Sequence, residues 1–201
     1  MLEQLWRIGL LGGSYLLGSL SSAVLVCQVL RLPDPREHGS HNPGTTNVLR
    51  LGGKWPALCT LLGDLAKGAL PVMVLQLLAL PTISGSELLL AAFLGHLYPV
   101  WFKFQGGKGV ATLLGGGLAL DLRLGLSFLF IWLSIAGITR YSSLAALLAA
   151  ISMPALASYW LFSTRDILLL SMMALFLIWR HRSNIQRLLQ GQEARLGTKK
   201  P

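Results

Sequence analysis

Charge is what this sequence has least of. Only 12% of its residues are charged, where an ordinary soluble domain carries about 25%, and 53% are hydrophobic. Polar material is too scarce to cover a globular surface in water. This excludes a soluble enzyme or binding module and makes the lipid bilayer the solvent that the composition suits. Acidic residues are the scarcer sign, 8 against 17 Lys and Arg, for a formal charge of +9. In a soluble chain that imbalance would point to nucleic acid. Here the basic residues stand in polar segments between apolar runs, so no nucleic-acid partner is expected. The imbalance reads first as membrane orientation and second as affinity for phosphate-bearing molecules. Cysteine is nearly absent. Cys27 and Cys59 both fall inside apolar runs, and no disulfide framework or zinc site is implied. No two histidines have metal-ligand spacing, so neither a metal nor another cofactor is expected. With no long repeat and no separate soluble stretch, residues 1–201 read as a single domain.

What the chain has in plenty is apolar runs. A membrane-spanning helix needs roughly 20 predominantly apolar residues. Residues 5–30 qualify. No small-x-small cleavage site follows a basic start, so they are expected to remain as a span rather than be removed as a signal. Within them Gly9, Gly13, Ser14, Gly18 and Ser22 recur about every fourth position, a face on which another helix can come close. Further spans are expected over 55–80, with Pro56 in the first turn and a kink at Pro71, and over 88–101, 142–162 and 167–179. Residues 110–120 and 124–138 are shorter apolar stretches divided by Asp121 and Arg123. Placing the polar segment 31–54 in the cytoplasm also puts Lys103, Lys108, Arg140 and the basic tail inside, and leaves Arg7, Arg123 and Arg165 outside. Fusing 110–138 into one crossing would strand Arg140 and the tail on the wrong side. Two short crossings, or a shallow hairpin, keep both inside. The expected fold is therefore all-α: a polytopic membrane bundle of seven transmembrane helices, N-terminus outside and C-terminus cytoplasmic. Five spans plus a hairpin is the alternative.

That topology gathers three polar segments, 31–54, 103–112 and the tail 180–201, on one face. The first contains Gly39-Ser40-His41-Asn42-Pro43-Gly44-Thr45-Thr46-Asn47-Val48-Leu49-Arg50. Its hydroxyls, amides and glycine N–H groups can face an anion, and Arg50 can grip a phosphate with two parallel hydrogen bonds. An ordinary solvated loop has a similar composition. The second contains Gly106-Gly107-Lys108-Gly109 ahead of an apolar stretch. Glycines before a helix expose N–H groups at its positive end, and Lys108 adds a full charge. The spacing is not that of a Walker A loop, and a flexible interfacial turn is the plain alternative. The third runs Arg180-His181-Arg182-Ser183-Asn184-Ile185-Gln186-Arg187. Orientation alone explains its arginines. It does not explain His181 and Asn184, which three-residue spacing puts on one helical face. Asp64 and Lys67 lie inside the second span, where charges are costly and mark either a site or a structural ion pair. His96, with Tyr98 and Pro99 near the end of the third span, reads as an interfacial packing residue, and His38 as solvated.

In this order the clusters resemble the acyl-phosphate-dependent glycerol-3-phosphate acyltransferase family of bacterial membranes. The resemblance covers nearly the whole chain. It takes in Gly18-Ser19-Leu20-Ser21-Ser22, then Asp64-x-x-Lys67-Gly68, then Gly95-His96-x-x-Pro99-Val100 and the glycine loop. It ends with Arg180-His181-x-x-Asn184-Ile185-x-Arg187-Leu188, Gly191 and Glu193. The resemblance implies transfer of an acyl group from acyl phosphate to the 1-hydroxyl of glycerol 3-phosphate, giving a lysophosphatidate and phosphate for phospholipid synthesis. The setting it implies is the bacterial inner membrane, with the active site on the cytoplasmic face. It implies activity residues at Ser40, Arg50, His181 and Asn184, and a glycerol-3-phosphate-binding loop at Gly106, Gly107, Lys108 and Gly109. Glu193 takes a structural position and Asp64 is assigned with it. Asn42, Thr46, Asn47 and Lys67 are expected to join in binding phosphate. Substrates and the bilayer are the expected partners, with transient contact to the enzyme that makes acyl phosphate. The chain departs from the family at His41, where Gly is usual, and at Thr45, where Ala is common. A small transporter of phosphorylated metabolites is the alternative reading, with Asp64 and Lys67 as its intramembrane charges.

Overall fold

A computed structural model describes residues 2–78, 83–160 and 162–197, and among them the regular elements are all helices. They run α1 (Leu2–Gly18), α2 (Ser22–Val29), α3 (Thr45–Gly52), α4 (Lys54–Leu78), α5 (Gly85–Leu97), α6 (Val110–Leu120), α7 (Leu122–Thr139), α8 (Ser142–Tyr159), α9 (Thr164–Arg180) and α10 (Arg182–Leu189). One 3-10 turn lies at Val100–Phe102.

The first apolar run is two helices rather than one, with α1 and α2 meeting at 44°. The break falls in Gly18-Ser19-Leu20-Ser21, residue types that favour caps and turns over helix interiors. The Ser19 hydroxyl donates to the Tyr15 carbonyl at 2.9 Å, a side-chain bond that competes with the helical ladder. The stretch after the glycine loop also divides as expected. Asp121 ends α6, and its carboxylate accepts from the Arg123 backbone N–H at 2.8 Å to cap α7. Among the described residues, length and apolarity alone qualify three of the expected spans, α4, α7 and α8, or four if the bent pair α1–α2 counts as one. With 13 and 11 residues, α5 and α6 rise only about 20 and 17 Å at ~1.5 Å per residue. The hydrocarbon core of a bilayer is about 30 Å thick. The segment between the second and third expected spans lies partly outside the described residues, and α5 starts earlier and ends sooner than 88–101.

The main core lies among α5, α6, α7, α8 and α9, where Phe93, Leu113, Phe128, Met153 and Met173 are fully buried. Large apolar side chains such as Trp6, Leu77, Phe130 and Ile138 point outward, as a lipid-facing surface requires. Backbones touch where side chains are missing. A Cβ on Gly18 would collide with the Ala92 carbonyl, one on Gly95 with the Tyr15 carbonyl, and one on Gly68 with the Thr112 carbonyl. On α1 the close seam is narrower than its small-residue pattern suggests. Ser14 and Gly18 are buried, but Gly9 and Gly13 meet no neighbour.

At the end of the bundle away from the polar loops, Glu87 ties three helices. Its Oε1 accepts from Arg7 Nη2 of α1 at 2.6 Å and from Arg165 Nη2 of α9, while its Oε2 accepts from the Ser84 N–H in a capping box that starts α5. Glu87 is nearly buried and both arginines are partly exposed, so solvent weakens each pair. Glu87→Ala should cost about 1–2 kcal/mol, mostly through the lost cap and the unpaired arginines. The expected outcome is a thermal midpoint in detergent lowered by several degrees with the helical circular-dichroism signal unchanged at low temperature. An unchanged midpoint would show that the bridge contributes nothing.

Candidate functional site

The polar segment 31–54 is an ordered loop followed by α3. Asp34 accepts from the backbone N–H and guanidinium of Arg36, with Arg36 Nη2 to Asp34 Oδ2 at 2.6 Å, and the Arg36 guanidinium lies 5.8 Å from the centre of the Phe102 ring. Asn47 organises the rest. Its Oδ1 accepts from the Ser40 N–H at 3.0 Å, and its Nδ2 donates to the carbonyls of Pro35 and His38 at 2.9 Å each. Asn47 is buried, and its amide is spent on the loop's own backbone. It therefore shapes the loop rather than facing a ligand. That leaves Ser40 at the exposed tip and Arg50 exposed in the last turn of α3. Asn42 and Thr46 are half-buried between them. His41 has φ +56°, the left-handed region that glycine enters without penalty. The family's usual Gly at this position thus has a backbone reason, and His is among the residue types that tolerate that region best.

The glycine loop doubles back on α5. The Gly107 N–H donates to the His96 carbonyl at 3.1 Å, and Arg180, at the end of α9, donates Nη2 to the Gly106 carbonyl at 2.6 Å and Nε to the Gly107 carbonyl at 3.0 Å. Gly109 stands at φ +84° with its α-carbon against the Phe93 ring, where no side chain fits. Lys108 is thereby turned toward the tail. Its Nζ donates to Asn184 Oδ1 at 2.7 Å, and Asn184 Nδ2 donates to Glu193 Oε1 at 2.6 Å. Ser143 of α8 donates to the same carboxylate oxygen at 2.7 Å, and Arg187 Nε donates to Oε2 at 2.7 Å.

Electrostatics follows from this order. Burial pushes the Lys108 ammonium down to about 8; Glu193 pulls the other way, while Arg187, Arg180 and Arg50 add to the depression. Burial would raise the Glu193 carboxyl, but hydrogen bonds from Ser143, Asn184 and Arg187 hold it below the ordinary range. Burial, assisted by the nearby Lys108 charge, pushes His181 down to about 4, so its ring is neutral at physiological pH. Its Nδ1 lies 2.8 Å from the Leu177 carbonyl. A carbonyl only accepts, so Nδ1 carries the hydrogen and Nε2 keeps a lone pair. Among the described residues no hydrogen bond joins Ser40 to His181, and no three His, Cys, Asp or Glu side chains cluster as metal ligands would.

The three polar segments do meet. Arg36, His41 and Pro43 from the first, Phe104, Gln105 and Gly106 from the second, and Arg180 line an open pocket of about 270 Å³. Asp64 and Lys67 are buried away from that lining. Lys67 Nζ lies 2.8 Å from Asp64 Oδ1 and donates to the Leu20 carbonyl at 2.9 Å, so its ammonium is committed to the helix break. Neither Arg180 nor Ser143 is given a binding or catalytic role by the sequence. Arg180 reads there as one more orientation charge, and nothing local marks its hold on the glycine loop. Around Lys108, the cations Arg50, Arg180 and Arg187 face one carboxylate, Glu193, itself paired with Arg187, and this makes their surroundings a place for anions.

Fold and site together define a helical membrane protein with an anion-attracting pocket at one end of the bundle. The glycerol-3-phosphate acyltransferase family matches residues 8–191. A glycerol-3-phosphate acyltransferase of Methylococcus capsulatus is 50% identical over 187 residues, 93% of this chain and 94% of the relative. One of Ruthia magnifica is 47% identical over 199 residues, 98% of this chain and 100% of its own. The crystal structure of PlsY (YgiH), an integral membrane glycerol 3-phosphate acyltransferase, in its glycerol 3-phosphate form superposes with a TM-score of 0.89. It is 36% identical, covering 95% of this chain and 96% of that one. The lysophosphatidic acid form gives 0.87 at the same identity, covering 95% of each. The chain belongs to the glycerol-3-phosphate acyltransferase family and is a membrane acyltransferase. Membership in an enzyme family displaces the transporter reading.

The Lys108 environment makes a signed prediction. Amine acylation at Lys108, followed by mass spectrometry across pH, should rise with a midpoint near pH 8, because only the neutral amine reacts. Glu193 favours the charged form, so Glu193→Gln should move that midpoint lower. An upward shift, or none, would show that Glu193 does not support the Lys108 charge.

Proposed function

We propose that the protein transfers an acyl group from acyl phosphate to the 1-hydroxyl of glycerol 3-phosphate, releasing 1-acyl-glycerol 3-phosphate and inorganic phosphate for phospholipid synthesis. The observation that carries the reading is Lys108. Its charge is held by an amide rather than neutralised by a carboxylate, and it lies within reach of the charge of Arg50, on the α3 helix that follows the exposed Ser40 loop. Two phosphate-bearing substrates need several fixed cations, and this end of the bundle supplies them.

The chemistry is mainly positioning and electrostatic. Lys108, Arg50 and the Ser40 hydroxyl hold phosphate groups, and Asn184 aims Lys108. The hydroxyl oxygen of glycerol 3-phosphate attacks the acyl carbonyl carbon, the bond from that carbon to the bridging oxygen breaks, and phosphate leaves. The hydroxyl proton passes to a phosphate oxygen, so no protein base is required. Neutral His181, with its Nε2 lone pair, orients the hydroxyl. Ser40 serves as a phosphate ligand rather than an acyl carrier. The groove of about 440 Å³ between α4 and α6, lined by Ala66, Ala69, Met73 and Gly115 among others, offers an apolar bed open to lipid for an acyl chain.

The same reading places the chain in the bacterial inner membrane with the polar loops and C-terminus in the cytoplasm. In it α5, α6 and α9 cross alongside the longer helices, giving seven crossings with the N-terminus outside. The tail's backbone bond from the Leu196 N–H to the Arg140 carbonyl, at 2.7 Å, supports a shared side for α10 and the α7–α8 corner. Cysteine labelling at Glu3 and Gln192 in intact spheroplasts tests this orientation. Only the first should react with an impermeant reagent.

Phosphate release by the purified protein in bilayers, given glycerol 3-phosphate and a long-chain acyl phosphate, should depend on both substrates, and acyl-CoA should not replace the donor. Ser40→Ala, Arg50→Ala and Lys108→Ala should each lose about 10²–10³-fold in kcat/KM, the range for removal of one preorganised donor. Turnover with acyl-CoA alone would reject the donor. An acylated Ser40 trapped in a single turnover would replace direct transfer with a covalent route.

A further inference from the structure

Three buried charged or titratable groups take no part in the chemistry above. Asp64, Lys67 and His96 come from α4 and α5 and are all at most 6% exposed. Lys67 closes the break between α1 and α2 by donating to the Leu20 carbonyl, and Asp64 Oδ1 lies 2.8 Å from Lys67 Nζ. His96 Nδ1 lies 3.6 Å from the same carboxylate oxygen, inside ion-pair range though too long for a hydrogen bond. The other edge of the imidazole reaches the glycine loop. A Cβ on Gly107 would collide with His96 Nε2, and it would lie 2.9 Å from the Pro43 carbonyl of the first loop. The imidazole therefore lies against Gly107, the residue before Lys108, and the first loop approaches Gly107 as well.

A glycine loop has no side chains with which to anchor itself and is entropically expensive to hold still. It has to be gripped from outside. Arg180 grips its carbonyls, and the His96 carbonyl takes one N–H. We propose that His96 is a positioning residue for acyl transfer: backed by Asp64, its ring supports Gly107 and so sets the aim of the Lys108 ammonium at substrate phosphate. An apolar side chain would be the cheaper filler at this depth. A polar ring with a carboxylate 3.6 Å from its Nδ1 favours one orientation over its flip, and misplacing a catalytic group by about 1 Å costs on the order of 10²-fold. The inference rests on the reading that Lys108 binds phosphate.

The test compares wild type with His96→Leu, His96→Gln, Lys108→Arg and His96→Leu/Lys108→Arg in bilayers. It measures kcat and KM with acyl phosphate, thermal midpoint, and glycerol 3-phosphate affinity by calorimetry without donor. His96→Leu should lose at least tenfold in kcat/KM and in affinity at an unchanged midpoint. His96→Gln, which keeps a polar atom near the Nε2 position, should recover much of that loss. The double variant should be little worse than Lys108→Arg, because both act on the same ammonium. Wild-type affinity and turnover in His96→Leu would overturn the proposal, and so would full additivity in the double variant. A loss that follows the midpoint in both Leu and Gln variants would reduce His96 to packing. If wild type fails with acyl phosphate, the donor assignment falls, and the calorimetric comparison still decides the role of His96.

Discussion

One ammonium group has to keep its charge where burial works against it. Lys108 is drawn out of water by the loop that carries it, and Arg50, Arg180 and Arg187 all repel it. What holds it is the Asn184 carbonyl oxygen at 2.7 Å, with Glu193 one residue further away. A carboxylate in direct contact would neutralise Lys108 and close the site to anions. With Asn184 between them, Glu193 offsets the repulsion and leaves the ammonium available. Ser143 and Arg187 fix Glu193 in turn, so the glycine loop, α8 and the tail converge on one side chain.

Carboxylates play a similar part elsewhere in the bundle. The chain has 8 acidic residues. Glu87 joins α1, α5 and α9 at one end, Asp64 joins Lys67 and His96 in the interior, and Glu193 joins the tail to α8 at the other. In a medium of low polarity a buried carboxylate is tolerable when several donors share it. Few acids can be accommodated in lipid, and three of the eight, Asp64, Glu87 and Glu193, stand where separate elements must be held together.

Backbone contact does what the acids cannot. Gly18, Gly68 and Gly95 let helices approach without side chains between them. With so few atoms at these seams the helices need not be long to be held. This lets α5 and α6 be short, and the glycine loop that joins them can fold back against His96.

The sequence by itself determined the solvent, the all-helical class and the three polar clusters. Composition, hydropathy and motif spacing are local properties, and no tertiary contact is needed to read them. It also separated α6 from α7, because Asp121 and Arg123 cannot sit mid-span unnoticed. Only the tertiary structure decided what each polar group faces. Asn47 and Ser40 lie in one motif, yet Asn47 turns inward to hold the loop while Ser40 stays exposed. Lys67 and Lys108 are both lysines drawn out of water, yet one is spent on a helix break and the other on Asn184 of the tail. Arg180 looked like one orientation charge among several until the loop it grips came within 3.0 Å. The break in the first span and the 44° bend were likewise hidden, because Gly and Ser every fourth residue describe a packing face and a weak helix equally well. The choices made by Lys67, Lys108 and Arg180 depend on partners brought from 47 to 76 residues away, and no short window along the chain contains them.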